Sequence, residues 1–351
     1  MNIQPFLKLM VDKSASDLFF TTESPVRIKI EGKLVPVGKT VMTPELTRAA
    51  ALGIMTAEQR EVFEREFEID FAIAEEGLGR FRVNAFHQRG HVGMVLRYIT
   101  AEVPNIHKLV VPEILQELIL ARRGLLLMVG ATGSGKSTTL AAMINHRNEN
   151  MPGHILTIED PIEFVHPNKQ SIVNQREVGE DTKSYARALK SSLREAPDVI
   201  LIGEIRDRET MEAALELAGT GHLAISTLHA NNAHQTLDRI VNMFPEEMHK
   251  QLFMDLSLNL RAIVSQRLVP TKDGRRCAAV EVMINTPHTA ELILQGRIDE
   301  IRESMESSPE KGVQTFDMAL HALYKEGRID MEEALKNADS RANLEAKINF
   351  G

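Results

Sequence analysis

Tryptophan is absent from this chain, there are three tyrosines, and aromatic residues make up 5% of it. That scarcity argues against a surface that stacks single-stranded bases. A single cysteine, Cys277, excludes an internal disulfide and any cysteine-rich zinc module. No uninterrupted apolar run is long enough to span a bilayer. The N-terminal stretch Met1-Asn-Ile-Gln-Pro-Phe-Leu-Lys8 has no apolar core of signal-peptide length. The expectation is a cytoplasmic protein that meets a membrane only through partners. Excess positive charge is also missing: the net charge is −8, so no nucleic acid is expected as a general partner and any contact with one would be local. There is no repeat and no low-complexity tract. What remains is ordinary for a globular protein, with 43% hydrophobic and 26% charged residues in 351, enough chain for two domains.

One stretch organises the rest. The apolar run Leu125–Val129 leads into Gly130, Ala131, Thr132, Gly133, Ser134, Gly135, Lys136 and Ser137, and Thr138 to Ile144 then reads as a helix. This is G-x-x-x-x-G-K-S in its required setting, between a strand and a helix. Glycines let backbone N–H groups approach a phosphate chain, and the helix start adds its own N–H groups and positive dipole end. Lys136 is expected to reach the β- and γ-phosphates and Ser137 to offer its hydroxyl to Mg²⁺. The cofactors expected are therefore ATP and Mg²⁺.

Before that stretch, residues 2–12 read as an amphipathic helix, and 16–21, 26–30 and 34–37 as strands. Glu31, Gly32 and Lys33 are expected to form a tight hairpin connection. Helices follow from Thr43 to Leu52 and Thr56 to Glu66, and strands over 68–74, 79–86 and 93–99. Residues 1–100 thus read as an α+β domain, 101–112 as a linker carrying Pro104 and Pro112, and 113–351 as an α/β domain. In the last of these, Glu113–Arg123 is expected as a helix with Gly124 as its cap. Strands are expected over 154–158, 199–202 and 222–229, and helices over 182–193 and 208–217. From Pro245 onward the chain reads as mostly helical, apart from a hairpin between Arg267 and Met283.

Phosphoryl transfer also needs a metal site, a group to orient water and positive charge. The strand 199–202 ends in Gly203-Glu204; Glu204 is a candidate for the metal, through water, or for polarising the attacking water. Gly203 stands where an aspartate is usual. Glu159, Asp160 and Glu163 cluster after another strand, and carboxylates so close repel unless a cation such as hydrated Mg²⁺ lies among them. Glu163 is the candidate base. His222 and His229 bound one strand, roughly 20 Å or more apart, too far to share a metal; either can sense a γ-phosphate. Arg80, Arg82 and Arg97 early in the chain, and Arg176, Arg194, Arg206 and Arg239 later, are candidates for transition-state charge.

With these residues in view, four segments resemble the Walker A, Asp box, Walker B and His box of the type II/IV secretion ATPase superfamily: 130–137, 158–165, 193–207 and 220–231. Within it the chain is similar to the type IV pilus retraction ATPases of the PilT/PilU group. The resemblance implies an α/β protein with a PAS-like N-terminal domain, a RecA-like P-loop ATPase domain and a homohexameric ring powering pilus retraction. It matches Glu163 to the catalytic glutamate, Glu204 to the Walker B glutamate, His222 and His229 to the His box, and Arg80, Arg82 and Arg97 to arginines turned toward the nucleotide. The single cysteine sets the chain apart from members with a four-cysteine zinc insertion. The segment Ala290–Glu303 lacks the Ala-Ile-Arg-Asn-Leu-Ile-Arg-Glu element of PilT-type motors, and 305–348 fits the PilU type better. A PilT-like motor and an inner-membrane pilus platform protein are then the expected partners.

Overall fold

In a computed structural model the chain is described over residues 1–30, 32–99 and 102–350. It divides into Met1–Glu102 with Glu163–Val165, and Val103–Ile162 with His166–Gly351.

The first unit carries strands β1 (Asp17–Phe20), β2 (Pro25–Ile30), β3 (Lys33–Val41), β4 (Glu68–Glu75), β5 (Gly79–Gln88) and β6 (His91–Ile99). They form an antiparallel sheet in the order β3-β2-β1-β6-β5-β4. Alternation along β5 sorts its faces: Phe81, Val83 and Ala85 are buried, whereas Arg82 and Asn84 on the opposite face are partly exposed. The buried face packs in one core with Leu7 of the helix Gln4–Asp12, Ala50 of Pro44–Leu52 and Phe63 of Ala57–Glu66. Thr56 and Gln59 form a reciprocal capping box at the start of the last helix. The α+β reading of this region holds. The expected hairpin is closed by the antiparallel pair Ile30–Lys33 of β2 and β3, with Glu31 outside the described residues.

The second unit is a sheet of β7 (Gly124–Val129), β8 (Gly153–Glu159), β9 (Ser171–Glu177), β10 (Val199–Ile202), β11 (Leu223–Leu228), β12 (Leu260–Pro270) and β13 (Arg276–Ile284). Its order is β13-β12-β7-β11-β10-β8-β9; all neighbours are parallel except the β12–β13 pair. Every residue of β7 is buried. Leu125, Leu127 and Val129 enter one core, Leu126 and Met128 another, so helices cover both faces, as near-continuous apolar strands require.

Several local expectations are corrected. The helix expected to run to Arg123 covers only Ile114–Ile119. Gly124 does not cap it but opens β7: its φ is +116°, its N–H donates to the His222 carbonyl at 3.0 Å, and a Cβ there would lie 3.2 Å from the Asn259 carbonyl oxygen. The hairpin expected after Arg267 starts at Leu260 and is no separate ribbon, because β12 pairs directly with β7. Strand β9 has no counterpart among the expected strands; it is the sheet edge, where Ile172 is 58% exposed and polar residues interrupt the run. Residues 103–112 include the 3-10 turn Ile106–Lys108, and Ile106 is buried among the second unit's apolar side chains. The terminal helices Phe316–Lys325, Met331–Asn337 and Arg341–Phe350 pack on Val269, Cys277 and Ala279 of the hairpin.

Because β7 feeds both cores, Leu127→Ala is expected to lower the unfolding free energy by about 2–5 kcal/mol. A chemical-denaturation midpoint unchanged from wild type would show that this strand does not anchor the unit.

Candidate active site

The glycine-rich loop leaves β7 at Gly130, and the helix Lys136–Asn150 begins within it. Gly135 caps this helix in the left-handed region with φ +87°. At Gly130 a Cβ would sit 2.4 Å from the Gln266 carbonyl oxygen and 2.6 Å from Ser134 Oγ. No side chain fits there, so the loop is pressed against β12. Lys136 Nζ donates to the carbonyls of Gly130 at 2.7 Å and Ala131 at 3.0 Å, which folds the ammonium over the loop. Ser137 and Thr138 are half-buried in the first helical turn.

Gln266, which the sequence reading passed over, fastens the loop from below. It is buried; its Nε2 donates to the Ser134 carbonyl at 2.8 Å, and its Oε1 accepts from Thr139 Oγ1 at 2.8 Å. One amide thus bridges the loop to the helix that follows it. A glutamine inside an apolar strand was the available signal, since buried amides need partners. A cleft of about 360 Å³ adjoins the loop, lined by Gly130–Ser134 together with Asn231, Arg267, Leu268, Arg276 and Asn337.

The neighbouring strands end on the same edge. Leu228 pairs with Val129, and Ile202 pairs with both Ser226 and Ile158, so the residues after β7, β11, β10 and β8 emerge in a row, strands about 5 Å apart. Glu204 follows β10 and is no loose surface carboxylate: its side chain is 16% exposed. It lies between Arg206, whose Nε donates to Oε2 at 2.8 Å, and His229, whose Nε2 is 3.1 Å from Oε1. The Glu204 carboxylate raises the pKa of the Arg206 guanidinium further. His229 is itself held, its carbonyl accepting from Arg239 at 2.7 Å. Thr227 Oγ1 donates to the Gly203 carbonyl at 2.7 Å, tying β11 to the Glu204 turn.

Gly203 has a steric reason. A Cβ at that position would lie 2.6 Å from the Tyr185 hydroxyl. Burial pushes the Tyr185 pKa up, helped by the nearby Asp160 carboxylate, so the phenol stays protonated.

Glu159 is held by neutral donors: its Oε1 accepts from Thr157 Oγ1 at 2.6 Å and Gln175 Nε2 at 3.2 Å. Among the described residues no group of three His, Cys, Asp or Glu side chains could hold a metal ion. Mg²⁺ needs no such cage, since it keeps several waters and takes few protein oxygens beside substrate phosphates. Ser137 and Glu204 offer oxygen donors of the kind such a site would use, and both Glu204 oxygens already have partners, so Glu204 would reach a cation through water. His222 is not part of the row: it precedes β11, at the opposite end of the strand from His229, and its Nδ1 lies 3.2 Å from the Leu217 carbonyl and Thr220 hydroxyl oxygens.

Glu163 is exposed and falls, with Phe164 and Val165, into the first unit. In that unit Arg82 and Arg97 face each other across β5 and β6. Arg97 Nε donates to the buried Asp17 at 2.9 Å, and Arg82 lies 3.8 Å from Asp70. Arg80 is two residues along β5, on the same face as Arg82, opposite Ile99.

Comparison with known proteins gives the family. The family described as type II/IV secretion system protein matches residues 1–345. The type IV pilus ATPase PilU of Pseudomonas aeruginosa is 53% identical over 352 residues, spanning 100% of this chain and 92% of that protein. The type IV pilus retractation ATPase PilT of the same organism is 41% identical over 344 residues, spanning 98% of this chain and 100% of its own. The crystal structure of the pilus retraction motor PilT with bound ADP has a TM-score of 0.92 at 41% identity, covering 98% of this chain and 99% of that one.

Gln266→Ala would leave the Ser134 carbonyl and the Thr139 hydroxyl without their partner. It is expected to weaken binding of a fluorescent nucleotide about tenfold, the equivalent of one lost interaction of about 1.4 kcal/mol. Wild-type affinity would mean the loop holds its shape without this clamp.

Proposed function

The chain belongs to the type II/IV secretion system protein family, and from that premise we propose that it is a PilU-type motor ATPase that hydrolyses ATP to drive type IV pilus retraction. The observation that carries this reading is the row at the sheet edge: a phosphate loop after β7, His229 after β11 and Glu204 after β10, with His229 and Glu204 3.1 Å apart. The PilT structure with bound ADP supports a nucleotide as ligand of this loop.

In this reading the loop from Gly130 to Thr138 cradles the phosphates with backbone N–H groups, and Lys136 exchanges its two loop carbonyls for phosphate oxygens. Ser137, with Glu204 through water, would hold Mg²⁺, which neutralises charge on the β- and γ-phosphate oxygens. Glu163 is the base that takes a proton from the attacking water. Glu204 orients that water and fixes the His229 imidazole, which reports the γ-phosphate. Arg80, Arg82 and Arg97 supply positive charge to the nucleotide of their own or a neighbouring subunit. The working form is a homohexamer with residues 1–100 as the N-terminal domain, 101–112 as linker and 113–351 as the motor domain. It acts in the cytoplasm at the inner-membrane base of the pilus, on the platform protein and beside a PilT-like motor. No helix among the described residues is long and apolar enough to cross a membrane.

ATP turnover by the purified protein, with its mass in solution with and without nucleotide, tests the reading. A hexamer whose steady hydrolysis is abolished by Lys136→Ala is expected; a monomer that hydrolyses no ATP, alone or with a PilT-like partner, would overturn it. Glu163→Gln should retain ATP binding while turnover falls by at least about a hundredfold. Turnover at the wild-type rate in that variant would move the base elsewhere.

A further inference from the structure

The hairpin β12–β13 carries two further buried polar residues besides Gln266, Ser265 and Glu281. Glu281 of β13 is 5% exposed, and its Oε1 accepts two bonds: from the Ala233 N–H at 2.8 Å and from Ser265 Oγ, its cross-strand partner on β12, at 3.1 Å. Ala233 is the first residue of the helix Ala233–Val241. The first N–H groups of a helix have no partner inside it. The Asn232 side chain caps the Gln235 N–H at 3.1 Å, and Glu281 takes the Ala233 N–H that Asn232 leaves. A carboxylate there also meets the positive end of the helix dipole. The same helix reaches back with Arg239 to the His229 carbonyl, and His229 meets Glu204. A chain of hydrogen bonds therefore runs from β13 through one helix to the row of site residues.

We propose that Glu281 is a positioning residue of the hydrolysis site: it clamps the start of the helix Ala233–Val241 and so fixes His229 against Glu204. This rests on the reading of His229 and Glu204 given above. Arg267 braces the same turn from β12, its guanidinium 3.5 Å from the Asn231 carbonyl and ion-paired with Asp339 at 2.7 Å. A purely apolar residue at 281 would fill the space but leave the Ala233 N–H and the Ser265 hydroxyl buried without partners.

The charged groups that bear on Glu281 are Arg267, which favours its ionised form, and Asp339, which opposes it. Burial is the larger influence and raises its pKa to about 7, against two hydrogen bonds that lower it. The folded-state value lies above the unfolded one, so the group's contribution is most favourable below the ordinary carboxylate range. It is lost as pH rises toward the folded value.

The test compares full-length wild type, Glu281→Gln and Glu281→Ala by steady-state ATP hydrolysis, by hydrogen exchange of the segment 229–241 and by melting temperature from pH 5 to 8. Glu281→Ala is expected to lose kcat on the order of tenfold, with KM within about twofold, and to exchange faster in that segment. Glu281→Gln keeps an acceptor and should recover kcat to within about threefold of wild type. Its melting temperature should gain on wild type as pH rises. Wild-type kcat in Glu281→Ala, or a raised KM at constant kcat, would overturn the clamp. Should Glu281→Ala not fold, Glu281→Asp, whose shorter side chain cannot span the same bonds, takes its place, and wild-type kcat and exchange in that variant would overturn the clamp. A wild-type protein with no ATPase activity would count against the functional reading itself, an outcome that the variants' behaviour relative to an active wild type does not imitate.

Discussion

The chemistry of this chain depends on one constraint, the burial of strand β7 on both faces. Its six residues leave no side exposed, and alternate side chains are committed to two different cores. A one-residue slip would move each of them into the wrong core, so the register is strongly specified. Gly130, where the backbone leaves the sheet, is thereby fixed in place. The parallel pairing of β11, β10 and β8 then sets His229, Glu204 and Glu159 along the same edge. The apolar interior does not take part in catalysis, but it decides where the loop, His229 and Glu204 can be.

On that frame lies a layer of buried polar links. Gln266 holds the loop, Glu281 holds the helix after His229, Ser226 Oγ donates to the Ile202 carbonyl at 2.8 Å, and Thr227 Oγ1 reaches the Gly203 carbonyl. Each of these groups would be costly if buried alone and stabilises only as part of a pair. The pairs join the loops at the sheet edge to the strands beneath them.

How much of this was legible in the sequence follows from the range of the interactions. The phosphate loop declares itself because its requirements are local: a strand, then glycines that β12 and the tight turn impose, then a helix start. Glu204 shows as an acid closing a buried apolar run. The clamps do not show, because Gln266 meets partners 127 and 132 residues away and Glu281 meets one 48 residues away. A lone polar residue in a strand carries no periodicity that names its partner. Strand β9 was missed for a related reason, since an edge strand with one covered face has a weak pattern. Gly124 misled because a glycine with positive φ serves a helix cap and a strand start equally well.

Gly203 shows how the same physics accommodates a departure. A carboxylate on a side chain at this position would have to grow through the Tyr185 hydroxyl, which is 2.6 Å from the nearest place a Cβ could take. It would also add negative charge where Glu159, Asp160 and Glu204 already lie close enough to act on Tyr185. A neutral phenol costs less to bury there than another charge. Its protonated state is reinforced by those carboxylates, since ionising it would add to their repulsion. Tyr185 thus takes up the space that an acid would have needed, and the acidic burden at the end of β10 falls on Glu204 alone. Glu204 can carry it because Arg206 and His229 flank it on either side.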